Sequence, residues 1–206
     1  MNIKLKTDFS DYYDHWFDRE GRILERYSNG GMKRSEMLGF LKNKGEFTPR
    51  FGRVKDLAKQ QIASLVIYTN ETAHRSEGKV LLPTKQALDN YTDSFASEYL
   101  TPDKPSTSIR RLQIGQHCFW LAYQSTDSWR SNFGEVTVTL LQKEFDYHPS
   151  IDVALFAIDY VPHEDKHYAV DFNIAPQIKG TGIEDILSAK EIVQSLKICI
   201  KRDTED

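Results

Sequence analysis

Two runs near the C-terminal end constrain the fold most. Residues 151–161 (IDVALFAIDYV) and 168–174 (YAVDFNI) are β-branched, mostly apolar segments joined by the polar stretch PHEDKH. That pattern predicts an antiparallel hairpin. Side chains alternate across a strand, so Asp171 and Asn173 share one face, and hairpin pairing brings Asp159 within reach of both. Burying carboxylates on apolar strands is costly unless a cation neutralises them. Three oxygen donors on one face suit Mg²⁺, which makes Asp159, Asp171 and Asn173 the candidate metal ligands.

The joining stretch contains HEDKH at 163–167, which matches the HExxH pattern of zinc proteases. That pattern needs a helix, where residues four apart face one metal. Here it follows Pro162 between two strands, so it reads as a solvated turn without zinc.

Upstream, residues 34–44 (RSEMLGFLKNK) place Met37, Leu38, Phe40 and Leu41 on one face of a short amphipathic helix that Gly45 ends. Residues 63–69 (ASLVIYT) and 80–82 predict strands around the polar loop NETAHRSEGK, and 84–91 a helix. The loop TPDKPSTS at 101–108 is the best lobe boundary, dividing a first unit, 1–100, from a second, 101–206. Residues 109–114 and 117–123 predict a hairpin about Gly115, and 182–200 a closing helix with Ile183, Ile186, Leu187, Ile192, Val193, Leu196 and Ile200 buried. Strands and helices mix without βαβ alternation, which gives an α+β class.

At 206 residues, 39% hydrophobic and 28% charged, the chain is neither disordered nor fibrous. No stretch approaches the roughly 18 apolar residues of a membrane span, and the start MNIKLKTDFS has no apolar signal core. The expected location is the cytoplasm, with no membrane partner. Cys118 and Cys199 lie in apolar surroundings and read as buried hydrophobes. Charge is unevenly spread: from Arg19 to Lys59 there are eleven Lys/Arg and five Asp/Glu, and from Leu141 to Asp206 seven and thirteen. This places a polyanion between a basic lobe and an acidic one, or else describes two solvated faces.

In order, the motifs SEYL with Glu98, SIRRLQIG with Arg110 or Arg111, WRSNFG with Arg130 and Asn132, FAIDYV, and YAVDFNIAPQIKGTGIE resemble the second lobe of the ATP-grasp family of carboxylate–amine ligases. WRSNFG is similar to the Arg-Ser-Asn of the glutamate ligases that modify ribosomal proteins, and RSEMLGFLKNKGEFTP to the family's helix leading into Thr-Pro. The departures are Asp171 for a glutamate, Gln177 for a glycine, Tyr68 for a phosphate-binding lysine, and a glycine loop reduced to HRSEGK. Lys33, Arg53, Lys55, His74, Arg75 or Lys79 remain open as the source of the missing charge.

The resemblance implies two small α+β lobes with mainly antiparallel sheets gripping ATP and Mg²⁺. It implies a ligase that activates a small-molecule or peptide carboxylate as an acyl phosphate for attack by an amine. Arg130 and Asn132 would then be catalytic, Glu98, Arg110, Lys79 and Arg75 nucleotide-binding, and Asp159, Asp171 and Asn173 metal-binding. A degenerate relative that binds a nucleotide or a partner without catalysis is the alternative. A third reading is a nucleic-acid module, because Tyr12, Tyr13, Trp16, Phe17 and Tyr27 adjoin the basic run. Packing of these aromatics onto the core is the simpler account, so nucleic acid is not the expected partner.

Overall fold

The computed structural model describes residues 16–17, 23–24, 32–73, 78–144, 151, 155–174, 176–178, 180–188, 190–192 and 194–196. Strands β1 (Trp16–Phe17) and β2 (Ile23–Leu24) pair with each other. Of the other N-terminal aromatics, Tyr12, Tyr13 and Tyr27 lie outside the described residues, as do His74, Arg75 and Cys199.

Helix α1 (Arg34–Asn43) forms where the apolar spacing places it. Its buried face is Met37, Leu38 and Leu41. The Glu36 carboxylate accepts the Lys33 N–H at 2.8 Å, satisfying one of the unpaired donors of the first turn. Gly45, at φ +88°, closes it in the left-handed region.

A four-stranded antiparallel sheet follows, in the order β3-β6-β4-β5. It comprises β3 (Phe51–Arg53), β4 (Ser64–Tyr68), β5 (Lys79–Pro83) and β6 (Phe95–Glu98), with helices α2 (Val54–Leu57) and α3 (Thr84–Tyr91) between them. The two-residue period of β4 sorts its side chains between two cores. Leu65 and Ile67 pack with Val54, Leu57 and Ala87 beneath the helices, whereas Val66 and Tyr68 join the core that contains α1.

Five antiparallel strands make the second sheet, ordered β11-β10-β7-β8-β9. They are β7 (Thr107–Ile114), β8 (His117–Ser125), β9 (Val136–Glu144), β10 (Leu155–His163) and β11 (Lys166–Asn173). Phe156, Ile158, Tyr160 and Phe172 meet α1 and the first sheet on one face. Leu112, Ile114, Leu121, Leu155 and Ala157 pack on the other against Ile178, Ile183, Leu187, Ile192 and Leu196 of the closing segment. The loop at 101–106 separates the last strand of the first sheet from the first strand of the second. Among the described residues, no helix is long and apolar enough to cross a membrane.

Two expectations need correction. The closing helix does not start at Gly182: residues 183–185 form a 3₁₀ turn, the chain breaks, and helix resumes at 190. Ser188 starts it, since Glu191 accepts both its N–H and its hydroxyl and Glu191 N–H donates back to Ser188 Oγ. The break turns Ile186 outward, 45% exposed, although it was placed in the buried stripe. Strand β9 was not foreseen; its VTVT start alternates, but at the sheet edge it ends in QKE.

Candidate nucleotide-binding cleft

The 151–174 hairpin forms with a two-residue turn, Glu164 and Asp165, both at positive φ. Residues His163 and His167 of the zinc-like pattern part company there. His163 stacks on Tyr168 and its Nδ1 donates to Thr101 O at 2.8 Å, while His167 stacks on Trp120 and Tyr160.

Asp159 and Asp171 are direct partners across β10 and β11. The register slips between Asp159 and Tyr160, leaving Val170 as an extra residue, a β-bulge. Val170 and Asp171 therefore both line the same cleft, between Ala169 and Phe172, which turn into the core. Asn173 lies two residues further on, opposite Ala157, and is buried.

That cleft runs between the two sheets and holds about 770 Å³ of space, its open mouth included. Lys79, Glu98, Arg130, Asn132, Asp159 and Asp171, predicted from separate motifs, all line it. Val66, Leu100, Pro102, Val161 and Trp129 provide apolar wall, the mixture expected of a small-molecule site. Arg110 stands behind this surface: its Nε and Nη2 donate to the two oxygens of Asp159 at 2.5 and 2.8 Å. Asn173 does not reach the lining.

The loop bearing Arg130 and Asn132 is tightly closed. Ser125 Oγ donates to Phe133 O at 2.6 Å, and Asp127 accepts the Glu135 N–H. Ser131 Oγ donates to Ser108 Oγ on β7 at 2.6 Å. The Arg130 guanidinium stacks 3.6 Å from the Phe133 ring centroid, which keeps its planar donor fork oriented.

Sequence reasoning missed Arg34. From the first position of α1, its Nη1 donates to Asp171 Oδ1 at 2.5 Å and its Nη2 to Ala73 O at 3.4 Å. No local signal marks it, because its partner lies 137 residues away. Within the basic run around it, Arg50 pairs with Glu98 at the cleft wall, while Lys55 pairs with Asp93 and Lys59 with Asp56 on the outer surface. The other cations on or behind the cleft wall are Arg34, Lys79, Arg110 and Arg130, so the basic-lobe picture holds only for Arg34 and Arg50.

The electrostatics follow from this geometry. Burial, then the charge of Arg34, pushes the Lys79 ammonium down to about 8. Burial alone would raise the Asp171 carboxyl, but Arg34 and Lys79 outweigh it and hold the group below its ordinary 3.8. The hydrogen-bonded Arg50 likewise holds Glu98 low. A carboxyl with a folded pKa below its unfolded one stabilises fully above the unfolded value and loses that contribution as pH falls through the folded value. Arg34→Gln should therefore lose less stability than wild type between about pH 5 and about pH 3. Urea midpoints measured across that range test this.

No protein-family model matches the sequence, and no curated protein matches it. Solved structures do. The ATP complex of D-alanine–D-alanine ligase from Bacillus anthracis superposes with a TM-score of 0.54 at 10% identity, covering 85% of this chain and 68% of that one. D-cycloserine synthetase DcsG gives 0.57 at 13%, covering 81% and 69%. A RiPP-associated ATP-grasp ligase from Chryseobacterium gregarium, bound to ADP and leader and core peptides, gives 0.52 at 13%, covering 79% and 57%. The chain has the ATP-grasp fold. The α+β class and the paired antiparallel sheets expected of an ATP-grasp protein are those observed.

Proposed function

We propose that this ATP-grasp chain binds Mg²⁺–ATP between its two sheets and activates a carboxylate for amide formation. One observation carries the reading: Lys79, Glu98, Arg130, Asn132, Asp159 and Asp171, drawn from five separate stretches of sequence, line one cleft. Five cations on or behind the cleft wall, Arg34, Arg50, Lys79, Arg110 and Arg130, oppose three carboxylates, Glu98, Asp159 and Asp171, an excess of two positive charges. The magnesium complex of a nucleoside triphosphate carries about two negative charges, which that excess balances.

The donor chemistry fits the dication. Both bonds that Asp171 accepts, from Arg34 and from the Phe172 N–H, end on Oδ1. Among the described residues, its Oδ2 accepts none. No three His, Cys, Asp or Glu side chains cluster among the described residues, and Asn173 stays behind the lining, so the hard oxygen donors that the cleft offers Mg²⁺ are the Asp159 and Asp171 carboxylates, with Asn132 beside them. When bound, the ion would neutralise charge on the transferring phosphoryl group.

Within this reading Lys79 and Arg130 bind phosphate oxygens, and Asn132 orients them. Arg110 fixes the Asp159 carboxylate by its two-point contact. A substrate carboxylate oxygen attacks the terminal phosphorus and ADP leaves; an amine then attacks the acyl carbon, expelling phosphate and losing a proton. The protein's part is positioning and charge stabilisation. The carboxylate is a small molecule or a peptide, and cytoplasmic residence completes the proposal. A nucleotide-binding role without catalysis is the second reading, favoured by the ion pair that already engages Asp171.

Calorimetric titration with Mg²⁺–ATP tests the first step. A charge-assisted phosphate contact is worth about 1.5–3 kcal/mol, so Arg130→Ala should weaken binding about tenfold or more. Absence of wild-type binding at millimolar nucleotide would overturn both readings. Binding without ADP release, across amino-acid, peptide and amine mixtures, would favour the second.

A further inference from the structure

We propose that Tyr68 is a positioning residue whose ring carries two cations and aims one of them, the Lys79 ammonium, at the polyphosphate of the bound nucleotide. This rests on the nucleotide-binding reading and names the groups that set its affinity. Tyr68, the last residue of β4, pairs directly with Lys79, the first of β5. Residues opposed across an antiparallel pair project to the same face, and both side chains line the cleft.

The ring is fixed from below and behind. Tyr68 is buried, its hydroxyl shares a hydrogen bond with Ser97 Oγ at 3.2 Å, and its ring stacks 5.6 Å from Phe95. Lys79 Nζ and the Arg34 guanidinium carbon each lie 5.8 Å from its centroid, within cation–π range. The electron-rich ring attracts both cations and so offsets their mutual repulsion, which would otherwise drive the flexible lysine away.

The two cations then differ in what they have left to bind. Arg34 is taken up by Asp171 and Ala73 O. Among the described residues, Lys79 Nζ makes no hydrogen bond or ion pair. Its charged neighbours are Arg34 and Arg130 on the positive side and Asp159 and Asp171 on the negative side, none in direct contact. A half-buried ammonium with three donors to place suits a phosphate oxygen.

The test titrates Mg²⁺–ATP into wild type and four variants, and reads the proton NMR shift of the Lys79 ε-methylene in each free protein. Lys79→Ala should weaken binding about tenfold or more, with Lys79→Arg retaining most of it. Tyr68→Phe keeps the ring and should bind within about threefold of wild type, with the upfield ring-current shift at Lys79 intact. Tyr68→Leu keeps apolar packing without a π face; it should lose that shift and bind about tenfold more weakly. If wild type binds and Tyr68→Leu matches it, or Tyr68→Phe falls as far as Tyr68→Leu, the positioning role is refuted while nucleotide binding stands. If wild type shows the shift but binds no nucleotide, the nucleotide reading fails and the phosphate assignment with it. Absence of the shift in wild type refutes the ring–lysine contact directly.

Discussion

Arg110→Ala should destabilise the fold by about 3–5 kcal/mol, the usual result of stranding one member of a buried ion pair. Arg110 is 3% exposed and Asp159 8%, and the two meet in register across β7 and β10 through both carboxylate oxygens. The guanidinium also lies 4.7 Å from the Tyr123 ring centroid. Removing it leaves a buried carboxylate facing Asp171 without its ion-pair partner, whereas removing both charges does not. The double variant Arg110→Met, Asp159→Leu should therefore recover most of the loss, to within about 1 kcal/mol of wild type. Urea denaturation of the two variants at neutral pH decides. A cost below about 1 kcal/mol for Arg110→Ala would mean that Asp159 is solvated and the pair behaves as a surface one.

Gly115→Ala should do comparable damage by a different route. Gly115 sits at φ +58° in the turn between β7 and β8, and a Cβ there would overlap Ser195 Oγ and the Ser195 main-chain carbonyl. The left-handed backbone alone costs about 1–2 kcal/mol for a residue with a side chain. Backbone cannot swing aside as a side chain can, so the closing segment must withdraw. With it go the bond from Gln116 N–H to Ser195 Oγ and the burial of Ile192 and Leu196. The expected total is about 3 kcal/mol or more, with early proteolytic cleavage near the C-terminal end. Gly180 provides the control: at φ +80° its Cβ would meet open space, so Gly180→Ala should show only the backbone strain. Equal losses at the two positions would rule out the overlap with Ser195.

What could be read in advance and what could not divide along physical lines. The hairpin of β10 and β11 was legible because two-residue alternation is a local property, and it placed Asp159 and Asp171 face to face. The order of motifs from Glu98 to Asn173 pointed to the fold through its resemblance to the ATP-grasp family. Arg34 was not legible, since its role is defined by Asp171, far along the chain. Lys79 remained one of six alternatives because its place beside Tyr68 depends on the pairing of β4 with β5, which the loop between them conceals. Counting charges misled, because Lys55 and Lys59 satisfy carboxylates on the outer surface and Arg50 is taken up by Glu98. The late start of the closing helix had a local sign that went unread, the Ser-x-x-Glu of Ser188 and Glu191.

The Arg34 contact also bears on the order in which the protein can be assembled. Arg34 leaves the ribosome before its carboxylate partner, which follows 137 residues later on β11, the last of the described strands. Until that strand docks beside β10, the guanidinium has no acidic partner from the hairpin, and the wall that Asp159 and Asp171 provide does not exist. Contacts of such long sequence separation form slowly because loop closure must precede them. The cleft is thus completed in a single late step of biosynthesis, and a nascent chain stalled before β11 would present the first sheet complete but only one wall of the cleft.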